Sequence, residues 1–222
     1  VGHLAGRYYV GGRMTAIGYL AGGGVTAHMG DGGFYGGARA GYKAEGSSNV
    51  AIAQDSMYNN AGNNNIAIGN MSMYGVASTT DTNHCISLGY QTLYALTTGD
   101  YNIGIGRQAG SAITTATDNI FMGDNAGAAT TTLGYNIAIG SEALKTATGV
   151  TNSVVIGRQA ASASASTGDQ VVFIGNEAGK NWSAQDGHVG IGYQALATMT
   201  GDVYYNTAIG YLALTALSLI HI

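Results

Sequence analysis

Proline is absent from all 222 residues. Its absence excludes collagen, which needs proline within a strict three-residue glycine period. It also suits a backbone whose N–H groups nearly all donate to neighbouring strands, since proline has none to give. Charge is scarce, at 9% of residues against roughly 25% in an ordinary soluble domain. The eight basic residues are scattered and form no stripe able to displace counterions from a phosphate backbone, so nucleic acid is not an expected partner. With one cysteine, Cys85, no internal disulfide can form. No apolar run reaches the ~18 residues that span a bilayer, so no membrane insertion is expected of this segment. Disorder fits poorly too, because 45% of the chain is hydrophobic and the net charge is only −4.

What is abundant is glycine, 37 residues of it, and it is periodic. The clearest unit is Asn136-Ile137-Ala138-Ile139-Gly140-Ser141-Glu142-Ala143-Leu144, echoed from Asn102 to Gly110 and from Asn206 to Leu214. Taking the residue after the isoleucine as an anchor gives Gly2, Gly18, Gly37, Ala53, Gly69, Gly89, Gly106, Gly123, Gly140, Gly157, Gly175, Gly192 and Gly210. The spacing ranges from 16 to 20 residues with a mean of about 17. Positions in a coil are counted from this anchor below. At +3 the side chain is always small, from Ala5 and Ala21 to Ala195 and Ala213.

These regularities predict an all-β fold, a parallel β-solenoid or β-roll of about thirteen coils. Position −1 is Ile17, Ile52, Ile68, Leu88, Ile105, Met122, Ile139, Ile156, Ile174, Ile191 and Ile209, with Gly36 and Val1 completing the column. A β-branched aliphatic before a turn glycine reads as the last residue of a strand that faces the core. The column is therefore expected to stack into one buried spine, and Ile139→Asp to be strongly destabilising. The anchor glycines are expected to take positive φ or to admit a close backbone. A coil of this length is expected to hold two short strands and two turns. Thr98-Gly99-Asp100, Thr167-Gly168-Asp169 and Thr200-Gly201-Asp202 supply turn chemistry ahead of the next strand.

Residues 1–60 read as degenerate, glycine-rich coils and 61–216 as regular ones. Residues 217–222, Leu-Ser-Leu-Ile-His-Ile, match the translation of a common sequencing adapter and are set outside the fold, and both ends are expected to be cuts in a longer chain.

Asn206-Thr207-Ala208-Ile209-Gly210-Tyr211-Leu212-Ala213-Leu214 and Gly190-Ile191-Gly192-Tyr193-Gln194-Ala195-Leu196 resemble the N-T-A-I-G-Y-x-A-L repeats of phage tail fibres. The unit is also similar to the shorter head repeats of trimeric autotransporter adhesins. The resemblance covers residues 1 to about 216. It implies a left-handed, homotrimeric roll, extracellular on a virion tail fibre or a bacterial surface. There it would act as a non-enzymatic shaft or spacer positioning receptor-binding elements, with a host-cell glycan or surface receptor as a further partner.

Several chemical motifs compete with this reading. Gly104 to Ala109 and Gly190 to Ala195 fit G-x-G-x-x-A, but each is a copy of the repeat with no helical pattern after it. A hexapeptide acyltransferase needs an aliphatic about every six residues, and most coils fail this, which leaves His188 as its one candidate base. His84-Cys85 is half a metal site at most, with Cys85 in the slot that other coils fill with Asn. Tyr19, Tyr90, Tyr193 and Tyr211 could stack on one another or present a glycan-binding row, and a repetitive face could bind ice. Asn49, Asn65, Asn102, Asn119, Asn136 and Asn206 are expected to form a structural ladder. No catalytic residue, cofactor or metal is assigned.

Overall fold

The computed structural model describes residues 2–7, 13–24, 31–76, 80–132, 134–163, 168–183, 186–201 and 203–217. Val1, Thr167, Asp202 and residues 218–222, singled out above, lie outside the described residues. Among the described residues every regular element is a short β-strand. The fold is an all-β parallel solenoid, built as two compact units that divide between Thr117 and Asp118.

In the first unit the strands are β1 (Met14–Ile17), β2 (Gly33–Gly36), β3 (Val50–Ile52), β4 (Ile66–Ile68), β5 (Ile86–Leu88) and β6 (Ile103–Ile105). Each pairs in parallel with the next, and equivalent repeat positions meet, as in Val50↔Ile66 and Ile52↔Ile68. The second unit holds β7 (Ile120–Met122), β8 (Ile137–Ile139), β9 (Val154–Ile156), β10 (Val172–Ile174), β11 (Asn181–Trp182), β12 (Val189–Ile191), β13 (Thr198–Met199), β14 (Thr207–Ile209) and β15 (Ala216–Leu217). Here β7, β8, β9, β10, β12 and β14 continue the same register, from Ile137↔Val154 to Ile191↔Ile209. Among the described residues a second strand per coil forms only in the last three coils, where β11, β13 and β15 pair.

After each strand the chain folds back through tight turns. The anchor glycines have φ between +122° and +141° from Gly18 to Gly210, and a Cβ on Gly140 would lie 2.5 Å from the Gly157 carbonyl oxygen of the next coil. Glycine meets both conditions without strain, and Ala53 is the one non-glycine anchor, at φ of +100°. The +3 amide then closes a turn onto the anchor carbonyl, as in Ala143 N–H to Gly140 O at 3.1 Å. The intervening +2 residue is left-handed without being glycine, at φ of +56° in Gln108 and +60° in Glu142. That conformation costs about 1 kcal/mol per residue. It is offset because the same amides bond to the neighbouring coil, Glu142 N–H to Asp124 O at 2.8 Å and Gln108 N–H to Tyr90 O at 2.9 Å.

The isoleucine column does not line the core. In each three-residue strand the middle residue is buried and its neighbours are not. Ile17, Ile52, Ile68 and Ile209 are exposed, while Leu88, Ile105, Met122, Ile139, Ile156, Ile174 and Ile191 are half-buried on the outer face. Alternation along the strand is as expected but its parity is reversed. The physical reason is width: the coil interior accepts one side chain per strand, so position −2 points in and positions −3 and −1 point out. Ala51, Ala67, Ser87, Phe121, Ala138, Val155 and Phe173 are the inward residues.

Most coils fill that interior by a size exchange. A small residue at −2 goes with a large one at +4 in Ala51 with Met57, Ala67 with Met73, Ser87 with Leu93 and Ala138 with Leu144, whereas the Ala16/Gly22 and Gly104/Gly110 coils are small at both positions. Where −2 is aromatic, +4 is glycine, as in Tyr35 with Gly41, Phe121 with Gly127 and Phe173 with Gly179. A Cβ on Gly179 would sit 2.7 Å from the Phe173 ring.

Phe173→Ala should therefore cost about 3–5 kcal/mol through the cavity it leaves. The double variant Phe173→Ala/Gly179→Leu, which copies the Ala138 and Leu144 pair, should recover more than half of that loss in urea melts. Ala138→Asp should unfold the chain by burying an unpaired charge, several kcal/mol, whereas the outward Ile139→Asp should change the stability of the single chain, apart from any association, by less than about 1 kcal/mol.

Candidate interaction surface

Four side-chain columns leave each main sheet on its outer side. Positions −3 and −1 form the centre, with Val50, Ile66, Ile86 and Ile103 beside Ile52, Ile68, Leu88 and Ile105 in the first unit. In the second unit Ile120, Ile137, Val154, Val172 and Val189 stand beside Met122, Ile139, Ile156, Ile174 and Ile191. No residue of either central column is charged. Positions −5 and +1 flank them and carry the polar and aromatic residues, among them His84, Tyr101 and Tyr135 on one edge and Tyr90, Arg107, Arg158 and Tyr193 on the other. An apolar centre with a rim of tyrosine, histidine and arginine is the anatomy of a protein–protein contact.

The other columns are engaged inside the coil stack. At position −4 the asparagines form the expected ladder: Asn49 Oδ1 accepts from the Asn65 amide at 2.9 Å, and Asn119 Oδ1 from the Asn136 amide at 3.0 Å. Each Nδ2 donates to a turn carbonyl, Asn102 to Ala116 and Asn136 to Val150. Cys85 stands in this column with its sulfur accepting from the Asn102 amide at 3.3 Å. Burial pushes its thiol up to about 12. Its neighbour His84 points outward and stacks on Tyr101 with ring centroids 5.0 Å apart, so the two do not converge on a metal. His188 occupies the same buried column, and its Nδ1 accepts from the Asn206 amide at 3.2 Å, the structural duty of an asparagine.

Asp and Asn at position −6 make a second ladder that sequence reasoning did not foresee. Asn63, Asn83 and Asp100 each accept through Oδ1 from the amide one coil earlier, at 2.8, 2.8 and 2.7 Å. Asp169 and Asp186 do the same at 2.8 Å. Position +2 links coils through side chains, Arg39 to Asp55 at 2.7 Å and Glu142 to Gln159 at 2.8 Å. Hydrogen bonds from Lys145 and Gln159 hold the Glu142 carboxyl below its usual range, and those from Gln194 and Lys180 do so for Glu177.

The tyrosines stack. Tyr42, Tyr58, Tyr74 and Tyr94, at position +5, form a half-buried pile with centroids 5.1, 5.0 and 5.3 Å apart. Arg39 and Lys43 lie over the Tyr58 ring. Burial, reinforced by their neighbours, raises the Tyr58 and Tyr74 hydroxyls above their ordinary value. In the row suggested for glycan contact, Tyr193 stacks on Tyr211 at 5.2 Å and Tyr19 on His3 at 6.0 Å. Each pairing covers one face of a ring, and Tyr19, Tyr90, Tyr193 and Tyr211 all remain exposed.

Gly104 to Ala109 and Gly190 to Ala195 are strand-to-turn segments with no helix after them. Among the described residues no three His, Cys, Asp or Glu side chains gather to hold a metal, and no helix is long and apolar enough to cross a membrane.

The native Cys85 thiol should resist alkylation under mildly alkaline conditions and react fully once the chain is denatured. Because its folded pKa lies above its unfolded one, the unfolded chain loses this proton first as pH rises. Stability should therefore fall between pH 9 and about 12, with a slope approaching about 1.4 kcal/mol per pH unit. Urea melts at stepped pH on the wild type and on Cys85→Ser would isolate the effect. No family model, curated protein or solved structure matches the chain.

Proposed function

We propose that the chain is a structural spacer, a shaft module of a homotrimeric extracellular fibre of the phage tail-fibre or bacterial surface-adhesin kind, which positions receptor-binding elements. Its mechanism is geometric, with no catalytic step and no cofactor. The observation that carries the proposal is the pair of outward aliphatic columns at −3 and −1. A solitary chain gains nothing by repeating Ile and Val toward water, and a contiguous apolar face of this kind usually marks a partner.

Another copy of the same chain is the partner that fits. Coils repeat at the spacing of paired strands, so an aligned second copy presents an aliphatic rung opposite each rung. A surface lacking that period would not. Closed cyclic symmetry lets the face be covered without leaving an open end to the association. Ice binding is less well supported, because the −3 and −1 columns are mostly aliphatic and carry threonine only at Thr15 and Thr207.

Sedimentation equilibrium of the 222-residue chain should return the mass of three chains. Ile68→Asp and Ile139→Asp, each placing a charge in the central columns, should return one chain each with an unchanged circular dichroism spectrum. A wild-type chain that sediments alone at micromolar concentration would overturn the proposal.

A further inference from the structure

A face that repeats has a register problem. In the first unit Val50/Ile52, Ile66/Ile68, Ile86/Leu88 and Ile103/Ile105 are nearly interchangeable rungs. A copy displaced by one coil would meet almost the same surface, and repetitive strands are prone to such slippage. One rung differs. At β2 the outward pair is Phe34 and Gly36, paired with Thr15 and Ile17 on one side and with Val50 and Ile52 on the other.

Phe34 reaches across its rung. A Cβ built on Gly36 would lie 3.4 Å from Phe34 Cε1 and 3.9 Å from Cζ, so the ring lies over the place where other rungs carry an aliphatic. It is nevertheless 37% exposed. Nothing inside the coil asks for glycine at position 36. Gly33 and Gly41 give way to the buried Tyr35 ring, and Gly37 is a left-handed anchor against Ala53. Gly36 has an ordinary φ, and its would-be Cβ meets no atom within 4 Å but those of Phe34. Its reason therefore lies on the outer surface. Bulk removed from one column has been returned from the other, so the rung presents one aromatic ring where its neighbours present two branched side chains.

We infer that Phe34 and Gly36 set the register in which copies of this chain pack through their aliphatic columns. This rests on the homotrimeric reading above. In register, the three equivalent rungs meet ring to ring. Displaced by one coil, Phe34 faces Thr15/Ile17 or Val50/Ile52. The ring then packs against branched side chains of a different shape, and the contact among the three rings is lost.

The test uses the full chain in a Cys85→Ser background, for which Ser153 in the same column is the precedent. Chains carrying Ile68→Cys and chains carrying Leu88→Cys are mixed, assembled and oxidised. Disulfides between two chains of the same kind report the aligned register, and disulfides joining an Ile68→Cys chain to a Leu88→Cys chain report a one-coil slip. With Phe34 and Gly36 present, equal-rung products should dominate. In Phe34→Val/Gly36→Ile, which copies the next rung, and in Phe34→Val alone, the slipped product should rise at least about fivefold, the factor that one kcal/mol of lost discrimination produces. Circular dichroism and sedimentation confirm folding and mass for each variant.

A trimeric, folded variant whose slipped fraction stays at the wild-type level overturns the register role and leaves the assembly reading standing. A trimer that yields no disulfide at either rung shows that copies meet elsewhere and overturns the inference. A wild-type chain that sediments alone overturns both.

Discussion

Everything in this chain follows from setting one coil on another at the distance of paired strands. At that separation each residue has its repeat counterpart directly above it, and a chemical choice made once is made in every coil. Anchor glycines are required because a Cβ there would strike the next coil's carbonyl, 2.5 Å away at Gly140. Asparagines line up because an amide side chain can accept from one coil's amide and donate to a turn carbonyl. Tyrosines pile because rings 5.0 to 5.3 Å apart gain contact on both faces.

Stacking in this way also sorts the polar groups. The ladders at −4 and −6 and the Glu/Gln links at +2 tie their side chains to neighbouring coils, and His188 and Cys85 serve as stand-ins for asparagine. Groups that would look catalytic in isolation are thus committed to holding coils together. What the stack leaves without an internal role is the outer sheet face. Its two central columns are aliphatic for reasons the single chain does not supply, and that points outward to an assembly.

The period, the strand positions, the turn glycines, the small +3 residue and the asparagine ladder were legible in the sequence, because each is a column of nearly constant identity. The parity of the strand was not. Ile139 is larger and greasier than Ala138, so placing it inside is the natural choice when burial is judged residue by residue. A usable signal lay in variation rather than constancy. Position −2 runs from Gly190 to Phe173, and its size is mirrored by position +4, Leu196 against Gly179. Side chains that trade volume share an enclosed space, whereas the isoleucines trade with nothing except where Gly36 meets Phe34. The left-handed +2 residues were invisible because Gln108 and Glu142 have no intrinsic liking for that conformation. Their turns are held by bonds to neighbouring coils, which no local pattern reports.

The exchange of volume between positions −2 and +4 has a consequence for how such a chain can change over generations. Within a coil that makes this exchange the two sites are locked together, so replacing either alone creates a hole or a collision. Between coils the demand is far looser, since a Phe173/Gly179 coil sits directly beneath a Gly190/Leu196 coil. The unit that can be duplicated, deleted or shuffled without harm is therefore the whole winding. Lineages bearing this architecture should drift in length by complete turns more readily than their interiors drift by point substitution.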